Sequence, residues 1–266
     1  MQTSLKNSIQ SEQILKLWEE SHQSSPNTKD FINFIHQSSA LNSIGKSKNQ
    51  VVAFVNFAEQ KILSISDNYR EILNFGSSDE DFYNNGLSYF LNAIRYEECK
   101  YFADISEFFI YALRPIVHQN IDYTFFSSGF HLSIPGEEKS KRVAFIGIPT
   151  EFRENMPITM MLIFNDITHL VKEDDRWWCR LQLKHPEQQN MLYHSENPVF
   201  TKQELLSKRE MEIVNLFNEG KGLSEIADSL NLSYHTIDNH KKSILAKTGA
   251  INSTAALKIL KIGNII

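Results

Sequence analysis

The stretch that most constrains this chain runs from Leu206 to Gly249 and reads LSKREMEIVNLFNEGKGLSEIADSLNLSYHTIDNHKKSILAKTG. Its apolar residues return at helical spacing in three short runs divided by turn residues. Leu206, Ile213, Val214 and Phe217 mark the first run, which stops at Gly220. Ser207 and Glu210 have capping-box spacing, so this run has a start signal as well as a stop. Leu223, Ile226, Ala227 and Leu230 repeat at i, i+3, i+4 and i+7, the pattern of one buried stripe. Asn231-Leu232-Ser233 then makes a tight turn whose serine can cap the next helix. The third run buries Ile237, Ile244 and part of His240. It presents His235, Asn239 and Lys242 on the opposite face, with Asp238 and Lys241 on the flanks. Gly249 ends it, as a left-handed residue past a helix terminus.

Two helices joined by a tight turn, the second donor-rich on its outer face, describe a helix-turn-helix. Such a helix fits the major groove of DNA, where base edges present distinguishable donors and acceptors. Periodicity alone describes a plain three-helix bundle equally well, and a helix of this kind can also dock on a protein. The residues carry the reading further. LSKRE at 206–210, EIA at 225–227, Leu-Asn-Leu-Ser at 230–233, Thr-Ile-Asp-Asn-His at 236–240, Ile244, and Lys247 followed by Gly249 stand in order. This segment, about a quarter of the chain, resembles the DNA-binding domain of LuxR/NarL-type bacterial transcription regulators. Three positions depart from that pattern: Gly222-Leu223-Ser224 precedes EIA, Asp238 stands where the family often has lysine, and Thr248 follows Lys247.

The resemblance implies that outward residues of the third helix enter the groove. Asp238, Asn239 and Lys242 are then the candidates for base edges. Asparagine suits adenine, lysine suits guanine, and a carboxylate can accept only from a base amino group such as cytosine N4. His235, Thr236, Lys241 and Lys247 are the candidates for phosphates, which fix register rather than sequence. A fourth helix begins at Asn252-Ser253 with Ala256, Ile259 and Leu260 on one side. In this family it commonly supports dimerisation, so the implied partners are double-stranded DNA and a second copy of the chain. RNA polymerase and a small-molecule ligand are further candidate partners.

Charge agrees with that placement. The chain carries 27 Lys and Arg against 32 Asp and Glu, for a formal charge of −5. From Thr201 onward there are nine basic residues against seven acidic ones, and eighteen against twenty-five before it. The positive excess is thus confined to the segment that would meet phosphate, and it is small. Cys99 and Cys179 make neither a disulfide framework nor a zinc site, which points to a reducing cytoplasm. No signal peptide or membrane-length apolar run is present in the sequence.

Upstream, residues 1–45 are polar with two amphipathic stripes. One is marked by Ile9, Ile14, Leu15 and Trp18. The other is marked by Phe31, Ile32, Phe34 and Ile35, after a break at 24–27. They read equally as a dimerisation pair or as a cap on the next domain. From Gln50 the period changes. Val51–Val55 and Ile62–Ile65 read as strands around a turn, Asn68–Phe75 as a short helix, and 79–113 as mostly helical, ended by Pro115. Strands return at Tyr123–Phe126, Phe130–Ile134, Arg142–Pro149 and Ile158–Asn165. The order predicts an α+β domain, an antiparallel sheet with helices on one face. Together with Asp166-Ile167-Thr168 closing the last strand, it resembles a PAS domain. Trp177–Leu183 and Met191–His194 read as an extra strand pair around 185–190, or as an aromatic and basic stacking platform. Ser195–Thr201, with Pro198, reads as a linker.

The expected architecture is therefore a helical segment at 1–45, a PAS-like sensor at 46–172, a strand pair and linker at 173–200, and a separate four-helix helix-turn-helix domain at 201–266. No P-loop, dinucleotide fingerprint or hydrolase motif occurs, so no catalytic residue, metal or cofactor is expected. His118, His131 and His169 leave a haem sensor open as an alternative, although neither cysteine has the context of a flavin photosensor.

Overall fold

A computed structural model of the chain describes all residues except 1, 22–49, 74–77, 114–122, 134–135, 137–138, 154–155, 174–175 and 184–188. The second amino-terminal stripe, the 24–27 break, Pro115 and His118 lie outside the described residues. The fold is α+β. Helix α1 (Gln2–Ser21) precedes strands β1 (Gln50–Asn56) and β2 (Lys61–Ile65). Then come helices α2 (Tyr69–Ile72), α3 (Asp79–Ala93) and α4 (Tyr96–Glu107), a π-helical turn (Phe108–Leu113), and strands β3 (Tyr123–Leu132), β4 (Lys141–Arg153) and β5 (Met156–Asp166). Three more strands follow, β6 (Trp178–Leu183), β7 (Gln189–His194) and β8 (Asn197–Lys202). All eight form one antiparallel sheet in the order β2-β1-β5-β4-β3-β6-β7-β8.

Strict alternation along the strands divides the sheet into two buried faces. Val51, Ala53 and Val55 of β1, Phe125 of β3, Val143 and Phe145 of β4, Met160, Leu162 and Phe164 of β5, and Cys179 and Leu181 of β6 point one way. They pack against α1, α3 and α4. Ile14 and Trp18 of α1 belong to this core, and the Trp18 Nε1 donates to the Ser106 hydroxyl at 3.3 Å. Phe126, Ala144, Trp178 and Leu192 point the other way.

Two strand expectations are corrected. The stretches expected at Tyr123–Phe126 and from Phe130 onward are one strand, β3, with a bulge between Ser127 and Phe130. Gly129 sits there at φ +112°, a conformation that favours glycine. The extra residue resets the alternation, so Phe130 and Leu132 stay on the inner face with Phe125. Ser195–Thr201 is not a linker: a turn at 195–196 leads into β8, which pairs with β7 through Met191–Lys202 and Leu192–Thr201. Pro198 is tolerated because β8 is an edge strand. Trp177 and Trp178, each 3% exposed, are packing residues and not a stacking platform.

Four helices complete the chain: α5 (Lys208–Asn218), α6 (Leu223–Leu230), α7 (Tyr234–Thr248) and α8 (Ser253–Ile262). Their core of Ile213, Val214, Ile226, Ile237, Ile244, Ile259 and Leu260 is continuous with the outer face of the sheet. The helical block therefore rests on β4, β3, β6 and β7, and the sheet is covered on both sides there.

Candidate nucleic-acid interface and interior cavity

Local signals build α5 to α8 as the sequence reads. The Ser207 hydroxyl accepts from the Glu210 amide at 3.2 Å, and the Glu210 carboxylate accepts from the Ser207 amide at 2.7 Å, a complete capping box. Glu225 accepts from the Gly222 amide at 2.7 Å to open α6. Asn231, at φ +52°, turns the chain sharply out of α6. Ser233 accepts from the Thr236 amide at 3.1 Å, and Asn252 from the Ala255 amide at 2.9 Å. Gly249 closes α7 at φ +74°.

These caps aim one face of α7 at solvent. Ile237 and Ile244 are buried on α6 and α5, while His235, Asn239 and Lys242 are exposed and Asp238, His240 and Lys241 are half-buried. Asp238 and Lys242 are one turn apart and pair at 2.8 Å. That hydrogen bond holds the Asp238 carboxyl below its ordinary value against an opposing desolvation, with the charges of Lys242, Lys241 and His235 adding to the lowering. Asp238 and Lys242 thus stand as an ion pair on the solvent side of α7. Thr236 is engaged with the Ser233 hydroxyl at 2.8 Å.

Lys247 is placed differently from its expected role at a phosphate. Its ammonium donates to Glu210 at 2.6 Å, inside the block. Glu210 is 3% exposed and also accepts from the Ser243 hydroxyl at 2.6 Å. Burial pushes its carboxyl up, but the bonds from Lys247, Ser243 and the Ser207 amide more than reverse this and bring it down to about 2. The clamp ties α5 to α7. Its only sequence signal was the capping-box spacing. Tyr234, 55% exposed at the start of α7, was not singled out from sequence; it flanks His235 on the same end of the helix.

The inner core holds a cavity of about 70 Å³ between the sheet and α1, α3 and α4, walled by Trp18, Phe57, Phe90, Phe125, Phe145 and Phe164 among others. Ser106, a hydroxyl in its wall, donates to the Phe102 carbonyl at 2.8 Å and accepts from Trp18. No histidine lines it among the described residues, and His131 is bound through Nδ1 to the buried Glu98 at 2.7 Å. Haem ligation from this wall is not supported by those residues.

Comparison with known proteins agrees with the block's geometry. Residues 204–260 match the family model of bacterial regulatory proteins of the luxR family. The transcriptional regulatory protein RcsB of Escherichia coli K12 is 46% identical over 55 residues, which are 21% of this chain and 26% of RcsB. RcsB of Salmonella typhimurium matches to the same extent. The chain thus spans about a quarter of the length of these curated relatives. Over 87% of the chain and 89% of the other, the fold aligns with a phage VqmA in complex with DPO at 12% identity, but the TM-score of 0.27 carries no weight. The carboxyl-terminal block is a LuxR-family helix-turn-helix domain.

Proposed function

We propose that the chain is a sequence-specific DNA-binding transcription regulator that acts in the cytoplasm as a homodimer and has no catalytic activity of its own. The observation that carries this is the exposed donor face of α7, with His235, Asn239 and Lys242 free of the core and Asp238 beside them. Asn239, Lys242 and Asp238 read base edges, while His235, Thr236 and Lys241 contact phosphate. Tyr234 joins the phosphate contacts, and Lys247 belongs to the Glu210 clamp. Among the described residues no helix is long and apolar enough to cross a membrane.

The division at 46–172 and 201–266 is proposed as sensor and DNA-binding domains, with 173–200 completing the sensor sheet. A PAS-like reading is supported by the helices between β2 and β3 and by Asp166-Ile167-Thr168. There the Asp166 carboxylate accepts from the Thr168 amide and hydroxyl, closing β5. The cavity is the seat for a small apolar ligand. Its volume is less than half of the roughly 150 Å³ that holds benzene in an engineered core, so rings must turn to admit anything larger.

The test is binding by fluorescence anisotropy to duplexes selected from genomic DNA. Asn239→Ala and Lys242→Ala should each lose roughly 1–3 kcal/mol on the selected site and little on random DNA. Equal losses on both would remove their base-reading role. Affinity should also fall steeply between low and moderate salt through counterion release, whereas a protein-docking helix would show a shallow dependence.

A further inference from the structure

Among the described residues, three sets of hydrogen bonds fasten the helical block to the sheet. At its beginning, the Asn190 amide of β7 donates to both Glu204 carboxylate oxygens at 2.8 and 2.9 Å, two residues beyond the end of β8. In its middle, the chain just after β5 pairs with the α7–α8 turn: Val171 bridges Ala250, the Lys172 amide donates to the Gly249 carbonyl, and the Ile251 amide donates to the Leu170 carbonyl, both at 3.0 Å. At its end, Arg180 of β6 donates to the carbonyls of Gly263 at 2.8 Å and Asn264 at 3.1 Å.

Arg180 is the centre of this arrangement. It is 5% exposed on the outer face, between Cys179 and Leu181, which face the inner core. A buried guanidinium requires acceptors, and here they are the carbonyls at the negative end of α8. Glu204, whose charge Arg180 also feels, lies at the block's other end. Beside them the Phe126 ring approaches Gly263 so closely that a Cβ there would stand 3.0 Å from it. The exposed face of α7 is left uncovered by all three fastenings.

We propose that Arg180 is a positioning residue that fixes the recognition helix to the sensor sheet, so that sensor pairing sets the permitted half-site spacing. This rests on the reading of the chain as a dimeric DNA-binding regulator. A twofold dimer with rigidly mounted blocks accepts half-sites at one separation, about one helical turn or a multiple of it. A dimer with loosely hung blocks accepts several.

The test uses the full chain in two arms. In hydrogen exchange, Arg180→Met should speed exchange of the Lys172 and Ile251 amides roughly ten- to a hundredfold, the effect of losing two charge-assisted bonds. The Ile226 and Ile237 amides, inside the block, should keep their wild-type rates. In DNA binding, wild type should lose roughly tenfold or more when the half-sites are moved a few base pairs from the best spacing of about 10 base pairs or a multiple of it, and Arg180→Met should flatten that profile. Gly263→Ala, which pushes Phe126 without touching a charge, should act in the same direction and stands in if the arginine variant fails to fold. Unchanged exchange at Lys172 and Ile251 in both variants overturns the proposal, as does a flat wild-type spacing profile. Failure of wild type to bind any duplex would refute the DNA reading, and with it the spacing claim, while the exchange arm would still decide the docking.

Discussion

Replacing Glu210 by glutamine tests how the block is held together. The side chain keeps its shape and loses its charge. At pH 7 the wild-type carboxylate is worth what its lowered pKa implies. A fall from 4.5 to about 2 corresponds to at most about 3.5 kcal/mol at about 1.4 kcal/mol per unit. The group is buried, so solvent screening takes little from that figure, although its partner Lys247 is 38% exposed and trims it somewhat. Because the folded pKa lies below the unfolded one, this stability is complete above pH 5. It falls to about half near pH 3 and vanishes as pH drops through 2. Urea unfolding of wild type and Glu210→Gln, followed by exchange at the α5–α7 amides, should show a gap of about 2–3 kcal/mol at pH 7 that shrinks by roughly half at pH 3. Lys247→Met should remove most of the same energy, and the double variant should cost little more than either one. A gap that stays constant from pH 7 to pH 3 would mean that the amide's poorer fit, and not the missing charge, sets the cost, and the argument would be wrong.

Burial pushes the Cys99 thiol up to about 11, helped by the charges of Glu98 and Glu97, and raises Cys179 as well. Neither should react with a thiol reagent at pH 8 until the chain unfolds; rapid labelling of native protein would contradict their placement. Ile105→Phe should fill part of the 70 Å³ cavity and raise stability by up to about 1 kcal/mol in thermal unfolding. A loss instead would show that the space is not open to a ring. Gly249→Ala meets no atom within 4 Å yet must hold φ +74°. It should therefore cost about 1 kcal/mol by backbone strain alone, read by urea unfolding.

What the sequence disclosed was what local chemistry decides. Ser207, Ser233, Asn252 and Gly249 act within three or four residues of themselves, so their caps could be placed before any tertiary contact was known. The exposed and buried faces of α7 followed from spacing alone. What stayed hidden depends on distant partners. Ser195–Thr201 reads as a linker because its proline and polar residues suit one, and only the neighbouring β7 turns most of it into an edge strand. The sequence leaves residues 127–129 as a gap between two strands, whereas the structure makes them a bulge inside one. The resemblance implies a phosphate contact for Lys247, and its bond to Glu210, 37 residues away in sequence, gave no signal there. Arg180 read only as part of a strand or of a basic stacking platform, since its partners are carbonyls 83 and 84 residues downstream.

On the proposed reading of a ligand seat and a DNA-binding block, the shared sheet supplies a route between them. On β3, Phe125 walls the cavity while Phe126, the next residue, lies on Gly263 at the end of the helical block. On β4, Phe145 faces the cavity and Ala144 the block; on β6, Leu181 faces the inner core and Arg180 the block. A strand cannot shift one of these residues and leave its neighbour in place, because consecutive side chains share one backbone and packed cores do not deform continuously. An occupant that moves Phe125 or Phe145 by part of an ångström therefore acts directly on the surface that carries the recognition helix. Ligand control through this route requires that the block be docked. With Arg180→Met, a ligand should still bind the cavity but should cease to alter DNA affinity. Retention of a full ligand response in that variant would place the coupling elsewhere, for instance in the stacked pair Phe108–Phe200, 4.1 Å between centroids, which ties the π-helical turn beside the cavity to β8.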